Sequence, residues 1–133
     1  MGAITTNTGL ATVLILILIF WIGYRLYENA RINRMATYLT NDEFKAGMRK
    51  AQVVDLREKS NFNAGHILGA RNIPYSTMRT FYQQIRPDLP VYLYDQGKTL
   101  SKRATKLLNK QGYDKIYILK GGYQNWDGKE KKN

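Results

Sequence analysis

Residues 53–74 read VVDLREKSNFNAGHILGARNIP, and the order of residue types in this stretch decides the fold. Gln52–Leu56 is a short apolar strand with VVDL at its core, too short for a helix and rich in β-branched residues. Ile67–Ile73 is a loop carrying a second short extended piece before Pro74. Gly65 and Gly69 punctuate the stretch as turn residues, because glycine enters turns at no steric cost.

Working outward, the same grammar repeats. Upstream, Thr40-Asn41-Asp42-Glu43 is a helix start: Thr40 or Asn41 can cap and acids fill the first turn. Phe44, Met48 and Ala51 follow at helical spacing. Downstream, Ser76–Ile85 is predicted helical, with Pro87 and Pro90 after it. Val91–Tyr94 (VYLY) is a buried strand. Thr99–Gln111 is a helix with Ala104, Leu107 and Leu108 as its apolar stripe, ended by Gly112. Lys115–Leu119 (KIYIL) is another strand, Gly121-Gly122 a turn, and Tyr123–Trp126 a last short helix. Strands separated by helices predict an α/β domain of three layers, a mainly parallel sheet flanked by helices. The polar tail, residues 128–133, is expected to be disordered.

The chain has 133 residues, no cysteine and one histidine, His66. This length fits one compact domain with an appendage. Without cysteine there are no disulfides, no thiolate nucleophile and no zinc site built on Cys, and one histidine excludes His-rich metal sites. No metal or cofactor is expected. Basic residues number 21 and acidic residues 10, a formal net charge of +11. The mean hydropathy of −0.45 hides an uneven distribution.

The first 24 residues carry no charged side chain, so every charge lies from Arg25 onward. Gly9–Tyr24 reads GLATVLILILIFWIGY, 16 residues interrupted only by Thr12, against the roughly 20 of a spanning helix. Ala3–Thr8 is uncharged and can extend it. Trp21, Tyr24 and Tyr27 suit an interface, where amphipathic rings favour headgroup depth. A buried core helix is a poor alternative, since one small domain could hardly enclose a helix apolar all round. A cleaved signal peptide would carry basic residues before the run and small ones after it. Here nothing basic precedes it, and Ala30 and Ala36 sit in a basic stretch. Residues 1–24 therefore read as an uncleaved, single-pass anchor. Arg25, Arg31 and Arg34 follow it, so the N-terminus is expected outside and the rest in the cytoplasm. Residues 25–37 read as a basic juxtamembrane helix or stalk able to lie on anionic lipid headgroups.

VVDLREKSNFNAGHILGARNIP also resembles the first half of a rhodanese domain, roughly V-D-x-R-x-x-x-x-x-x-x-G-H-I-x-G-A-x-N-I-P. Asp55, Arg57, Gly65, His66, Ile67, Gly69, Ala70, Asn72, Ile73 and Pro74 fall in place. VYLYDQGKTLSKRATKLLNKQGYDKIYILKGGYQNW is similar to the second half, ending in Gly121, Gly122 and Trp126. The resemblance covers roughly residues 38–127. It implies a protein that carries sulfane sulfur as a persulfide on a cysteine opening a C-R-S-G-x-R-S loop, whose N–H groups stabilise an anion beside a helix N-terminus.

The cysteine position, directly after VYLY, is Asp95. The loop reads Asp95-Gln96-Gly97-Lys98-Thr99-Leu100-Ser101, with Gln96 and Leu100 where the family has arginines. A carboxylate cannot hold a persulfide, and its charge opposes an incoming thiosulfate or phosphate. Sulfur transfer and cysteine-phosphatase chemistry are thereby excluded for this chain acting alone. An Asp95-based phosphoryl transfer would need Mg²⁺ and a second carboxylate; only Asp55 is near, and the family places it in a turn with Arg57. A Ser101–His66–Asp55 triad is formally available, but the fold family gives it no support. The simpler reading has Asp95 accepting loop N–H bonds, His66 making a structural hydrogen bond and Trp126 anchoring the core.

Three functions follow. The first is a non-catalytic, membrane-anchored binding or regulatory module with a protein partner of unknown identity. The second is a sulfur-transfer-related enzyme. The third is a basic domain binding anionic lipid or nucleic acid, suggested by its charge; separately, Lys98, Ser101, Lys102 and Arg103 at the loop mouth are candidates to bind an anion or an acidic partner. No nucleic-acid motif is present, and Tyr92 and Tyr94 sit in an apolar strand rather than among basic residues. The first reading is favoured, with the membrane reached through residues 9–24.

Overall fold

Short segments that are apolar almost without interruption build a sheet covered on both faces. The computed structural model describes the backbone of residues 2–133 and side chains from Thr6. Met1 and the side chains of residues 2–5, assigned above to the anchor, lie outside that description. The chain divides into one unit running to Arg31 and another, Ile32–Asn133.

The first unit is helical, within helix α1 (Gly2–Met35). Its large apolar side chains face outward all round, from Ile22 at 44% exposed to Phe20 at 76%. Thr6–Met35 is long and apolar enough to cross a membrane. Thr12 Oγ1 donates to the Thr8 carbonyl at 2.8 Å, so the one polar interruption is satisfied inside the helix. The Arg25 guanidinium lies 5.0 Å from the Trp21 ring centroid, and Arg31 lies 3.7 Å from Glu28.

The second unit runs through β1 (Ala36–Leu39), α2 (Asn41–Gly47), β2 (Gln52–Asp55), α3 (Lys59–Ala64), β3 (His66–Ile67) and β4 (Arg71–Asn72). It continues through α4 (Met78–Phe81), β5 (Val91–Tyr94), α5 (Thr99–Lys110), β6 (Ile116–Leu119) and β7 (Glu130–Lys131). Five strands form one parallel sheet in the order β1-β6-β5-β2-β4. Val54, Leu93 and Ile118 join one core with Ile32, Met78 of α4 and Ala104 and Leu108 of α5. Val53, Tyr92, Tyr94 and Leu119 join the other with Phe44 of α2 and Ile67. Adjacent strand residues thus serve opposite faces, and fully burying a Leu or Phe contributes about 1.5–3 kcal/mol. Helix α2 begins with a capping box: Thr40 Oγ1 accepts from Glu43 N–H, and Glu43 accepts from Thr40 N–H.

Three expectations change. The compact unit that carries the domain extends upstream of the expected Tyr38, to Ile32. Ile32 is 1% exposed and Ala36 6%, and β1 is an edge strand that consumes the end of the expected stalk. The Ser76–Ile85 helix breaks into a 3₁₀ turn, the single α turn α4 and a second 3₁₀ turn. Met78 and Ile85 are its fully buried residues, so the segment touches the core at two points and gains little from continuous helix. Residues 128–133 are ordered rather than disordered: β7 pairs antiparallel with β3. Leu68 N–H donates to the Lys129 carbonyl at 3.0 Å, and Trp126 Nε1 to the same oxygen at 3.3 Å. These bonds come from the main chain and one indole, so the polar side chains of the tail gave no sign of them.

Candidate functional site

Strand β5 ends at Tyr94, and the next four residues turn the chain into α5. Asp95, at the turn, is 3% exposed. Its Oδ2 accepts Leu100 N–H at 3.2 Å; its Oδ1 accepts Ser101 N–H at 3.3 Å and the Ser101 hydroxyl at 2.5 Å. No side chain caps α5 from the usual position, so the carboxylate satisfies two N–H groups of the first turn from further back. Its negative charge sits at the positive end of the helix dipole. The loop is held from behind: Tyr123 N–H donates to the Asp95 carbonyl at 2.8 Å and Gln124 N–H to Gln96 at 3.2 Å. Gly122 has φ +69°, and a Cβ there would lie 2.4 Å from the Gln96 carbonyl oxygen. That position needs glycine for both reasons. Gly97 sits in the loop itself, and Gly121 lies against Asn125 behind it.

Beside the loop, a buried ion pair braces the end of β2. Arg57 meets Asp55 through Nε at 3.1 Å and Nη2 at 2.7 Å, while its backbone N–H donates to Oδ1 at 2.9 Å. Nη2 also donates to the Gly65 carbonyl at 2.6 Å. The guanidinium lies 4.2 Å from the Tyr123 ring centroid and 5.9 Å from that of Tyr94. Burial first, and then the Asp55 charge, raise the Tyr94 hydroxyl well above its ordinary pKa. Burial first, and then Glu130, push Tyr123 up to about 12. Both phenols therefore stay neutral at physiological pH and act as donors or acceptors, not bases. Asn72 Nδ2 donates to the Asp55 and Arg57 carbonyls.

The formal triad residues have other partners. Ser101 is bonded to Asp95, Asp55 to Arg57, and His66 Nδ1 donates to the Phe62 carbonyl at 2.8 Å with its ring stacked on Phe62. Among the described residues no group of three or more metal-ligating side chains occurs. Gly69, φ +91°, turns the chain between β3 and β4. Lys98 Nζ lies 5.7 Å from the Tyr38 ring centroid; Lys102 and Arg103 follow on α5. Trp126 is half-buried and meets Phe44 edge-on at 5.6 Å. It also lines a second concavity of about 620 Å³ with Lys45, Met48, Leu68 and Lys129. Sequence reasoning missed that cleft and the Tyr123–Arg57 stack, which brings together residues 66 positions apart with no shared local pattern.

A parallel β1-β6-β5-β2-β4 sheet, with an anion-cradling loop between β5 and α5 and the braced Asp55–Arg57 turn beside it, defines a rhodanese-like domain. The chain belongs to that family, whose profile matches residues 40–129. It is 47% identical over 120 residues to the uncharacterised protein YqhL of Bacillus subtilis (strain 168), covering 89% of this chain and 95% of that one. Against the thiosulfate sulfurtransferase GlpE of Tolumonas auensis it is 34% identical over 74 residues, 56% of this chain and 70% of that one. A rhodanese-like domain protein from Staphylococcus aureus superposes with a TM-score of 0.66 at 24% identity, covering 73% of this chain and 98% of that one.

Proposed function

We propose that this chain is a membrane-anchored, non-catalytic member of its family, a binding or regulatory module held at the cytoplasmic face. One observation carries the reading: the Asp95 carboxylate fills the loop's anion cradle and accepts its N–H groups. The transfer for which GlpE is named needs an atom that can accept sulfur and release it. A thiolate does so; a carboxylate does not, and the sequence contains no cysteine. Like charge also repels thiosulfate from the position that Asp95 holds.

The anchor reading is supported by α1, apolar on all sides over a spanning length. Arg25, Arg31 and Arg34 follow the apolar run and no basic residue precedes it, which favours the cytoplasm for the domain. The test is a thiosulfate:cyanide sulfurtransferase assay on the full chain in detergent. Turnover equal to the protein-free rate is expected, and turnover above it overturns the non-catalytic reading. Protease added outside intact spheroplasts should leave the C-terminal end uncut; cleavage there would reverse the orientation.

A further inference from the structure

Between Asp95 and Asp114 the chain has no acid and five cations: Lys98, Lys102, Arg103, Lys106 and Lys110. At about 100° per residue these five fall within an arc of about 140°, spread along about 18 Å of helix axis. Ser101, Ala104, Thr105 and Leu108 are buried on the opposite side. Lys98, Lys102, Lys106 and Lys110 follow one another at i, i+4 spacing, an arrangement that weakens a helix by like-charge repulsion. Among the described residues, Lys98, Lys102, Arg103 and Lys110 are outside every ion pair. A face of this kind is stabilised by an extended array of negative charge rather than by one bound anion.

The placement of α5 within its unit says which array. Ala104 and Leu108 share a core cluster with Ile32 and Ala36, the first buried residues of the domain. Lys98 lies against the ring of Tyr38 on β1. So α5 covers the face of the sheet on which the first buried residues of the domain also lie. Tyr24, the end of the apolar run, and Ile32 are eight residues apart in sequence, which span at most about 28 Å. A domain of about 100 residues has a radius of gyration of about 13 Å, so this tether is no longer than the domain is wide. A domain held by so short a tether meets the bilayer surface at high effective concentration.

We propose that the Lys98–Lys110 face of α5 docks on anionic phospholipid headgroups of the bilayer that α1 enters. This rests on the anchor reading above. Lysine ammonium groups are mobile point charges suited to a fluid, diffuse layer of phosphates.

The experiment reconstitutes the full chain in vesicles of phosphatidylcholine alone, and of phosphatidylcholine with phosphatidylglycerol at about 7:3. A membrane-impermeant acetylating reagent is added, and the rate at each lysine is read by mass spectrometry. Lys98, Lys102, Lys106 and Lys110 should react roughly fivefold or more slowly in the anionic vesicles, with protection lost at high salt. Lys50 and Lys131, on segments packed with the other core cluster, should not change. Lys102→Gln/Lys106→Gln/Lys110→Gln should abolish the protection of Lys98 with the melting temperature retained. Equal rates at the α5 lysines in the two vesicles overturn the proposal, and protection confined to native membranes would assign the face to an acidic protein instead. Alkaline carbonate extraction reports on the anchor separately: an extracted chain refutes the anchor, while the lipid dependence of the rates still decides the role of α5.

Discussion

Replacing Asp95 by alanine removes the acceptor for three donors at once: Leu100 N–H, Ser101 N–H and the Ser101 hydroxyl. The two amides belong to the first turn of α5, and losing a capping acceptor costs about 0.5–2 kcal/mol. Ser101 is fully buried, and a buried hydroxyl left without its acceptor costs about 1–3 kcal/mol. Relief from burying the Asp95 charge offsets part of this. The net expectation for Asp95→Ala is about 2–3 kcal/mol of lost stability. For a domain of about 100 residues that lowers the melting temperature by roughly 10–20 °C. The assay is thermal unfolding of the full chain in detergent, followed by circular dichroism and by tryptophan fluorescence, with Trp21→Phe as the background so that Trp126 reports alone. Ser101→Ala and the double variant complete a cycle, and a coupling of about 1–2 kcal/mol between the two positions is expected. A loss below about 0.5 kcal/mol for Asp95→Ala, or no coupling to Ser101, would refute the reasoning that this carboxylate organises the loop.

The other expectations concern the elements around the loop. Asp95→Cys should put a thiol before the Leu100 and Ser101 N–H groups; with thiosulfate it should take up one sulfur as a persulfide and release sulfite. An unchanged mass would mean that the loop, with Gln96 and Leu100 in place of the family's arginines, no longer supports a reactive thiolate. Gly122→Ala forces a Cβ against the Gln96 carbonyl at a positive φ, and should cost about 2 kcal/mol or more in chemical denaturation. Arg57→Leu leaves Asp55, fully buried, without its counter-ion and should cost about 3–5 kcal/mol, with much of it recovered in Arg57→Leu/Asp55→Leu. Glu43 is held below the ordinary carboxylate pKa by the Thr40 backbone N–H first and the Thr40 side chain second. A depressed folded-state pKa contributes stability present above the unfolded value of about 4.5 and lost as pH falls through the folded one. Glu43→Gln should therefore flatten stability against pH on the acid side of 4.5, as read by urea titrations at a series of pH values.

The central strands were legible because burial on both faces leaves an unmistakable print. VYLY and KIYIL are continuous apolar runs bounded by Pro, Gly and charge, and they became β5 and β6. Helix α5 was legible from one apolar stripe. The ends of the domain were not. Ile32, Ala36 and Leu39 carry helical spacing as far as Leu39, so the pattern of a stalk runs on into a strand that begins at Ala36. Strand β7 is exposed and held by main-chain bonds to β3, which side-chain patterns do not encode. At the loop, the replacement of cysteine by Asp95 was plain from the residue after VYLY. That the carboxylate turns inward onto Ser101 depends on the course of the backbone through Gln96–Lys98, and no spacing rule fixes it. The stack of Tyr123 on Arg57 depends likewise on the sheet bringing the C-terminal turn back across the end of β2.

Asp95 is a ligand joined by covalent bonds to the loop that receives it. Tethering sets an effective concentration, in the millimolar range even for short flexible linkers and higher for a side chain with two torsions. That concentration does not change with dilution. A cradle filled from solution becomes more stable as its ligand accumulates and loosens as the ligand is consumed. Here the corresponding free energy is part of the fold at every solute concentration. The bonds from Leu100 and Ser101 to Asp95 therefore hold the loop between β5 and α5 without any ligand from solution.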